Sequence, residues 1–189
     1  MALSAIGLCA RALMKIGATP ISSFDDGTAE AIVASKLYSA TRDGLLSLHP
    51  WSFATAHATL ARLDRANVGP FSCAFQLPTD FLRALAAGSG NRARGVRYQI
   101  VEERLHTNSS SVTLTYVFRA PEAVFPAFFD TALINQLAAD FCLPLTESTS
   151  RAEYLTRTAQ ESLRTARLID SQQDTAPHLV GFPLIDARG

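Results

Sequence analysis

The apolar positions change period along the chain, and that change divides it. Leu3, Ile6, Ala10 and Leu13 recur at spacings of three and four, with Arg11 and Lys15 off the stripe, so the spacing predicts a first amphipathic helix. Gly17 ends it, because glycine takes the left-handed conformation of a helix C-terminus without a steric penalty. Asp25, Asp26 and Thr28 offer N-cap oxygens to a second helix, with a predicted inner face of Ala29, Val33, Leu37, Thr41, Leu45 and Leu48. Pro50 stops it. From Trp51 to Phe118 the period falls to two, the mark of half-buried antiparallel strands. Phe71, Cys73, Phe75 and Leu77 alternate with Ser72, Ala74 and Gln76, and Val112, Leu114, Tyr116 and Phe118 alternate with Thr113 and Thr115. Phe53 to Leu60 alternates more weakly. Polar tips at residues 67–70, 88–91 and 107–109 supply the turns.

Pro126 resets the chain to helical spacing, with Phe129, Leu133, Leu137 and Phe141 on one face and Pro144 kinking or ending the helix. Ser150 and Glu153 have the spacing of a capping box for a fourth helix, lined by Leu155, Ala159, Ser162, Ala166 and Ile169. Glu153, Arg157 and Glu161, followed by Arg164, form a charged ladder on its other side. Pro177, Gly181 and Pro183 forbid a helix in the last stretch, yet Leu179, Val180, Phe182, Leu184 and Ile185 are too apolar for an idle tail. Such a segment orders on a partner. The expected fold is therefore α+β: an antiparallel four-helix bundle (residues 1–50 and 121–170), an inserted antiparallel β domain (51–120) and an extended C-terminal docking tail (171–189).

Composition adds constraints. The 189 residues suffice for a real core, and 48% are apolar. Seventeen basic and 17 acidic residues cancel, so no global field draws the chain to nucleic acid or an anionic membrane. Nearly all the basic residues are arginine, whose planar fork suits carboxylates at protein interfaces. Cys9, Cys73 and Cys142 are odd in number and widely spaced, which favours small buried hydrophobes in a reducing, aqueous compartment over disulfides or a metal knuckle. No apolar run approaches the ~18 residues of a membrane span.

The candidate chemistry is thin. Trp51, with Pro50 and Phe53, sits where helix hands over to strand and reads as a plug at a subdomain junction. His49 beside it has no Gly-x-Ser-x-Gly companion, and His57, His106 and His178 lack metal-ligand spacing. Gly88-Ser89-Gly90 and Gly95 lack the Lys-Ser/Thr ending of a phosphate loop. Arg92, Arg94 and Arg97 share one predicted hairpin; they are either a solvated tip or a contact to a neighbouring subunit or to DNA phosphates. Asp25-Asp26 and Glu102-Glu103 are adjacent pairs, which diverge and so suit caps and turns better than acid–base work.

Several stretches, taken in order, resemble a known family. Ala12-Leu13-Met14-Lys15-Ile16-Gly17-Ala18-Thr19-Pro20-Ile21 leads to Asp25-Asp26, then His49-Pro50-Trp51-Ser52-Phe53-Ala54, Leu77-Pro78-Thr79-Asp80-Phe81-Leu82-Arg83, Leu114-Thr115-Tyr116-Val117 and the run Phe128 to Ser148. Over residues 2 to 170 the chain is similar to the head-to-tail adaptors of tailed bacteriophages, called tail tubular protein A or gatekeeper. The resemblance implies a structural subunit, not an enzyme, made in the host bacterial cytoplasm and placed in the virion at the head–tail interface. It implies a ring, usually of twelve copies, between portal and tail nozzle or tube, with the C-terminal extension gripping the portal and the lumen making transient, non-specific contact with passing DNA. No membrane, cofactor, metal or catalytic residue is implied. In such a ring the ladder of helix four would oppose Arg11, Lys15, Lys36 or Arg42 of a neighbour. A stopper or tail-terminator ring is the structural alternative, and a small hydrolase would need convergent Ser, His and Asp.

Overall fold

Ser4 opens the first helix by accepting the Gly7 N–H at 3.1 Å, and Gly17 closes it at φ 77° with its N–H on the carbonyls of Leu13 and Met14. The computed structural model describes residues 3–63, 70–90 and 94–173. Helix α1 (Ala5–Ile16) buries Leu8, Cys9, Ala12, Leu13 and Ile16. Only Leu13 of the expected stripe is fully buried; Leu3, Ile6 and Ala10 flank the contact. Thr28 caps α2 (Ala29–Leu48), its Oγ1 accepting from the Ala31 N–H at 3.2 Å. The buried face of α2 is Ala31, Ala34, Tyr38, Leu45 and Leu46, while the expected Ala29 and Leu48 are exposed. In both helices alanines share the buried face with larger residues, Ala12 in α1 and Ala31 and Ala34 in α2. A reading weighted to large apolar side chains turns the face away from them.

A short 3-10 turn (Ser52–Ala54) leads into the strands: β1 (Thr55–Thr59), β2 (Arg62–Leu63), β3 (Cys73–Gln76), β4 (Phe81–Gly88), β5 (Tyr98–Val101), β6 (Arg104–Thr107) and β7 (Thr113–Phe118). They form two antiparallel sheets, a three-stranded one in the order β1-β7-β4 and a four-stranded one in the order β2-β3-β6-β5. Leu60, Cys73, Phe75, Leu77, Ala87, Leu105, Val112, Leu114 and Tyr116 make a core of their own. On β7 the alternation serves two layers: Leu114 and Tyr116 join that core, whereas Val117 joins the core of the helices. The three-stranded sheet is therefore covered on both faces. Between β5 and β6 the two-residue turn Glu102-Glu103 has φ 50° and 58°, both positive, as a tight antiparallel hairpin with the twist of its strands requires.

Pro126 precedes α3 (Ala127–Thr146), and the expected face of Phe129, Leu133, Leu137 and Phe141 is wholly buried. Pro144 does not end the helix. It sits in the last turn, and the helix closes at Glu147, in the left-handed region at φ 52° with its N–H on Leu143 O at 3.0 Å. The N-cap of α4 (Thr149–Ser171) is Ser148, so the expected capping box of Ser150 and Glu153 lies inside the first turns instead of opening them. Ala159 and Ala166 are buried as expected, Leu155 and Ser162 half-buried, but Ile169 turns outward and Asp170 takes the inner position.

The chain is thus α+β, with four α-helices and antiparallel sheets among the described residues. Helix α3 is the hub: α1, α2 and α4 all pack on it, α4 most extensively, while α1 and α2 touch each other little. Polar bonds pin each spoke. Lys15 donates to Asn135, Thr41 to Asp140 at 2.7 Å, and Arg151 to the Ile16 carbonyl at the end of α1 at 3.1 Å.

Candidate functional site

The best-built cluster of polar and aromatic side chains lies where α2 gives way to the sheet. Pro50 breaks α2 and Trp51 turns into the interior, fully buried, with its Nε1–H donating to Leu45 O at 3.0 Å. Four aromatic rings surround the indole: His49 at 4.8 Å edge-on, Phe129 at 5.1 Å edge-on, Phe53 at 5.9 Å and Phe128 at 6.5 Å. Of the expected junction residues, Trp51 and Phe53 pack on the helical core, whereas Pro50 is exposed and serves only to end α2.

Beside it lies Asp170, 3% exposed in the last turn of α4. A carboxylate there faces the negative end of the helix dipole and is stripped of water, so it needs hydrogen-bond donors around it. Ser52 supplies most of them. Its backbone N–H lies 3.1 Å from both carboxylate oxygens, and its hydroxyl donates to Oδ1 at 2.7 Å. His49 Nε2 stands 3.3 Å from Oδ2. Burial pulls the His49 pKa below its ordinary value, with Arg167 and Arg83 adding to that effect and Asp170 opposing it. Whenever Nε2 carries a proton, the ring faces Oδ2 with a donor.

Serine, histidine and aspartate therefore do converge, but in an order unlike that of a nucleophilic triad. There, histidine stands between the other two and takes the serine proton. Here the carboxylate stands in the middle and holds the hydroxyl itself. Chemically this is a clamp that fastens the end of α4 to the first residues after α2. Sequence reasoning missed Asp170, although one signal was present: on the inward stripe Ala159, Leu163, Ala166, the next position is an acid.

A second polar lock stands where the chain returns to the helices. Tyr38 donates to Glu122 Oε1 at 2.8 Å and Arg42 to the same oxygen at 3.0 Å. Asp43 accepts from Arg42 and from Arg119, both at 2.9 Å. Burial raises the Glu122 pKa, but its backbone bond, Tyr38 and Arg42 outweigh burial and leave it below the ordinary carboxylate value. Burial, reinforced by Glu122, pushes the Tyr38 phenol well above its ordinary value.

The other expected residues lie elsewhere. Glu153, Arg157, Glu161 and Arg164 are all exposed on α4, with Glu153 and Arg157 3.9 Å apart. Glu153 and Arg157 also border an open groove of about 540 Å³ with Leu143, Thr149, Ala152 and Thr156. Arg94 and Arg97 are exposed, but they do not share a hairpin: β4 pairs with β7 and β5 with β6, so they ride a crossing from one sheet to the other. That correction follows from sandwich packing, in which consecutive strands change sheet instead of pairing. Arg92 and the tail residues Leu179, Val180, Phe182, Leu184 and Ile185 lie outside the described residues. Cys9, Cys73 and Cys142 are buried free thiols, and burial pushes Cys9 up to about 12. Among the described residues no three His, Cys, Asp or Glu side chains are grouped to hold a metal ion, and no helix is long and apolar enough to cross a membrane.

The fold and the clamp define a mixed helix-and-sheet protein fastened at its two chain crossings. No family model matches the chain, and a search of curated proteins finds no relative.

Proposed function

We propose that the chain is a structural ring subunit of the head-to-tail adaptor kind, working through matched surfaces and not through chemistry. The observation that carries this reading is the outer face of α4. This helix has 23 residues, hence a length of about 35 Å, yet only Ala159, Ala166 and Asp170 are buried. The rest presents Glu153, Arg157, Glu161 and Arg164 together with Tyr154 at 67% and Leu168 at 61% exposure. Arginine, tyrosine and leucine side chains exposed on one helix support a protein interface, where arginine and aromatic residues are enriched.

On this reading residues 1–50 and 121–170 are the family's helical bundle and 51–120 its inserted β domain. About twelve copies close side by side through α4 and a different face of the next subunit, as a heterologous interface demands. The ring joins portal to tail nozzle or tube within the virion and surrounds the DNA path, with residues 179–185 docking on the portal. Sedimentation and negative-stain microscopy of the protein mixed with portal test it. Rings stacked on the portal are expected; a protein that stays monomeric and unbound with portal present overturns the proposal.

A further inference from the structure

We infer that the groove between the end of α3 and the start of α4 is the seat of the chain's own C-terminal segment, residues 179–185, in the free protein. The groove encloses about 540 Å³, room for a few apolar side chains. Leu143, 50% exposed, stands in it beside Thr149, Ala152 and Thr156. The Thr156 hydroxyl donates to Ala152 O at 2.8 Å, so its polar group is satisfied within its own helix and its methyl is left for a ligand. Glu153 and Arg157 supply the charge at the groove.

Sequence and length name the occupant. Residues 174–189 follow directly on the end of α4 and lie outside the described residues. Between Asp174 and Asp186 no aspartate, glutamate, lysine or arginine occurs, and Leu179, Val180, Phe182, Leu184 and Ile185 all fall in that span. Gly181 and Pro183 oppose a continued helix, and an extended chain advances about 3.3 Å per residue. Phe182 can therefore lie about 30 Å from Gln173. Glu153 and Thr156 precede Gln173 by a helical run of about 26–30 Å. The two lengths match. A segment doubling back along α4 brings Phe182 to the groove, with Leu179 short of it and Ile185 past it, so the apolar stretch is centred there. The groove buries what this stretch would otherwise expose to water.

The segment that the ring reading sends to the portal is then sheltered until the portal takes it, and its departure bares Glu153 and Arg157 for the next subunit. That consequence rests on the ring reading; the docking itself does not. The test is NMR on the intact chain without portal. Cross-peaks are expected between the Phe182 ring and the methyls of Leu143, Ala152 and Thr156, unchanged on dilution. In a mixture of isotope-labelled and unlabelled chains they should arise within one chain. Leu143→Gln, at a half-exposed position, should lower the ratio of seated to free segment about tenfold and weaken the cross-peaks to Ala152. Absence of cross-peaks from residues 179–185 to α3 and α4 in the wild type overturns the inference. Cross-peaks found only between chains overturn it too, since they make a second copy's segment the occupant. The wild-type spectra decide this even if the variant fails to fold, and with no portal present a negative result leaves the ring reading standing.

Discussion

The Ser52 hydroxyl donates to the Asp170 carboxylate at 2.7 Å although 118 positions separate them in the chain. The start of the β segment and the end of the last helix are thus held by one acid. Asp170→Ala should cost about 1–3 kcal/mol in urea unfolding, because it removes the acceptor shared by the Ser52 N–H, the Ser52 hydroxyl and His49. Asp170→Asn, which keeps an acceptor oxygen, should lose less. A cost within about 0.5 kcal/mol for the alanine variant would show that the clamp holds nothing.

Trp51 tests the same junction from its apolar side. Trp51→Phe keeps most of the packing but strands the Leu45 carbonyl, at about 1–3 kcal/mol. Trp51→Ala adds a cavity among Phe53, Phe128 and Phe129 and should cost about 3–5 kcal/mol. Thermal and chemical melts should rank the two in that order; the reverse order would contradict the packing described.

Acid should loosen this end of the molecule through His49. Its folded pKa lies below the ordinary 6.5, so under acid the unfolded chain binds a proton that the folded one resists. The contribution is complete above pH 6.5 and is lost as pH falls through the folded value. His49→Gln should flatten the stability profile in that window, while the slope from Glu122, also depressed, appears only below its ordinary 4.5. An unaltered profile between those limits in the variant would remove His49 from the account.

The hairpin turn carries avoidable strain. Glu102 and Glu103 occupy left-handed conformations that side chains with a Cβ resist by about 1–2 kcal/mol each. Glu102→Asn with Glu103→Gly supplies the residues that such turns favour and should stabilise the protein by about 1 kcal/mol. Denaturant midpoints would expose an error if the double variant proved weaker than wild type.

For assembly, Arg157→Glu with Arg164→Glu reverses charge on an exposed helix face. Folding should be unchanged within about 0.5 kcal/mol, and ring formation on the portal should fail. Velocity sedimentation reads both; rings forming as before would move the subunit interface off α4.

What the sequence disclosed depended on how each position interacts. Phe129, Leu133, Leu137 and Phe141 were legible because a hub helix buries large residues at strict spacing. The faces of α1 and α2 were not, since Ala12, Ala31 and Ala34 carry little hydrophobic signal yet are fully buried. Strand β4 escaped because Phe-Leu-Arg-Ala-Leu-Ala-Ala-Gly lacks β-branched residues and is extended by its pairing with β7. Trp51 and Phe53 were found at the junction from local chemistry alone. Their polar partner was hidden, because nothing near position 170 reveals which distant backbone N–H it will meet.

The chain crosses between helices and sheets twice, once at Ser52 and once at Arg119 to Glu122, and side chains bolt both crossings to the helical layer. A layer tied at one crossing could swivel about it; turning the sheets against the helices here has to break the polar bonds at both crossings at once.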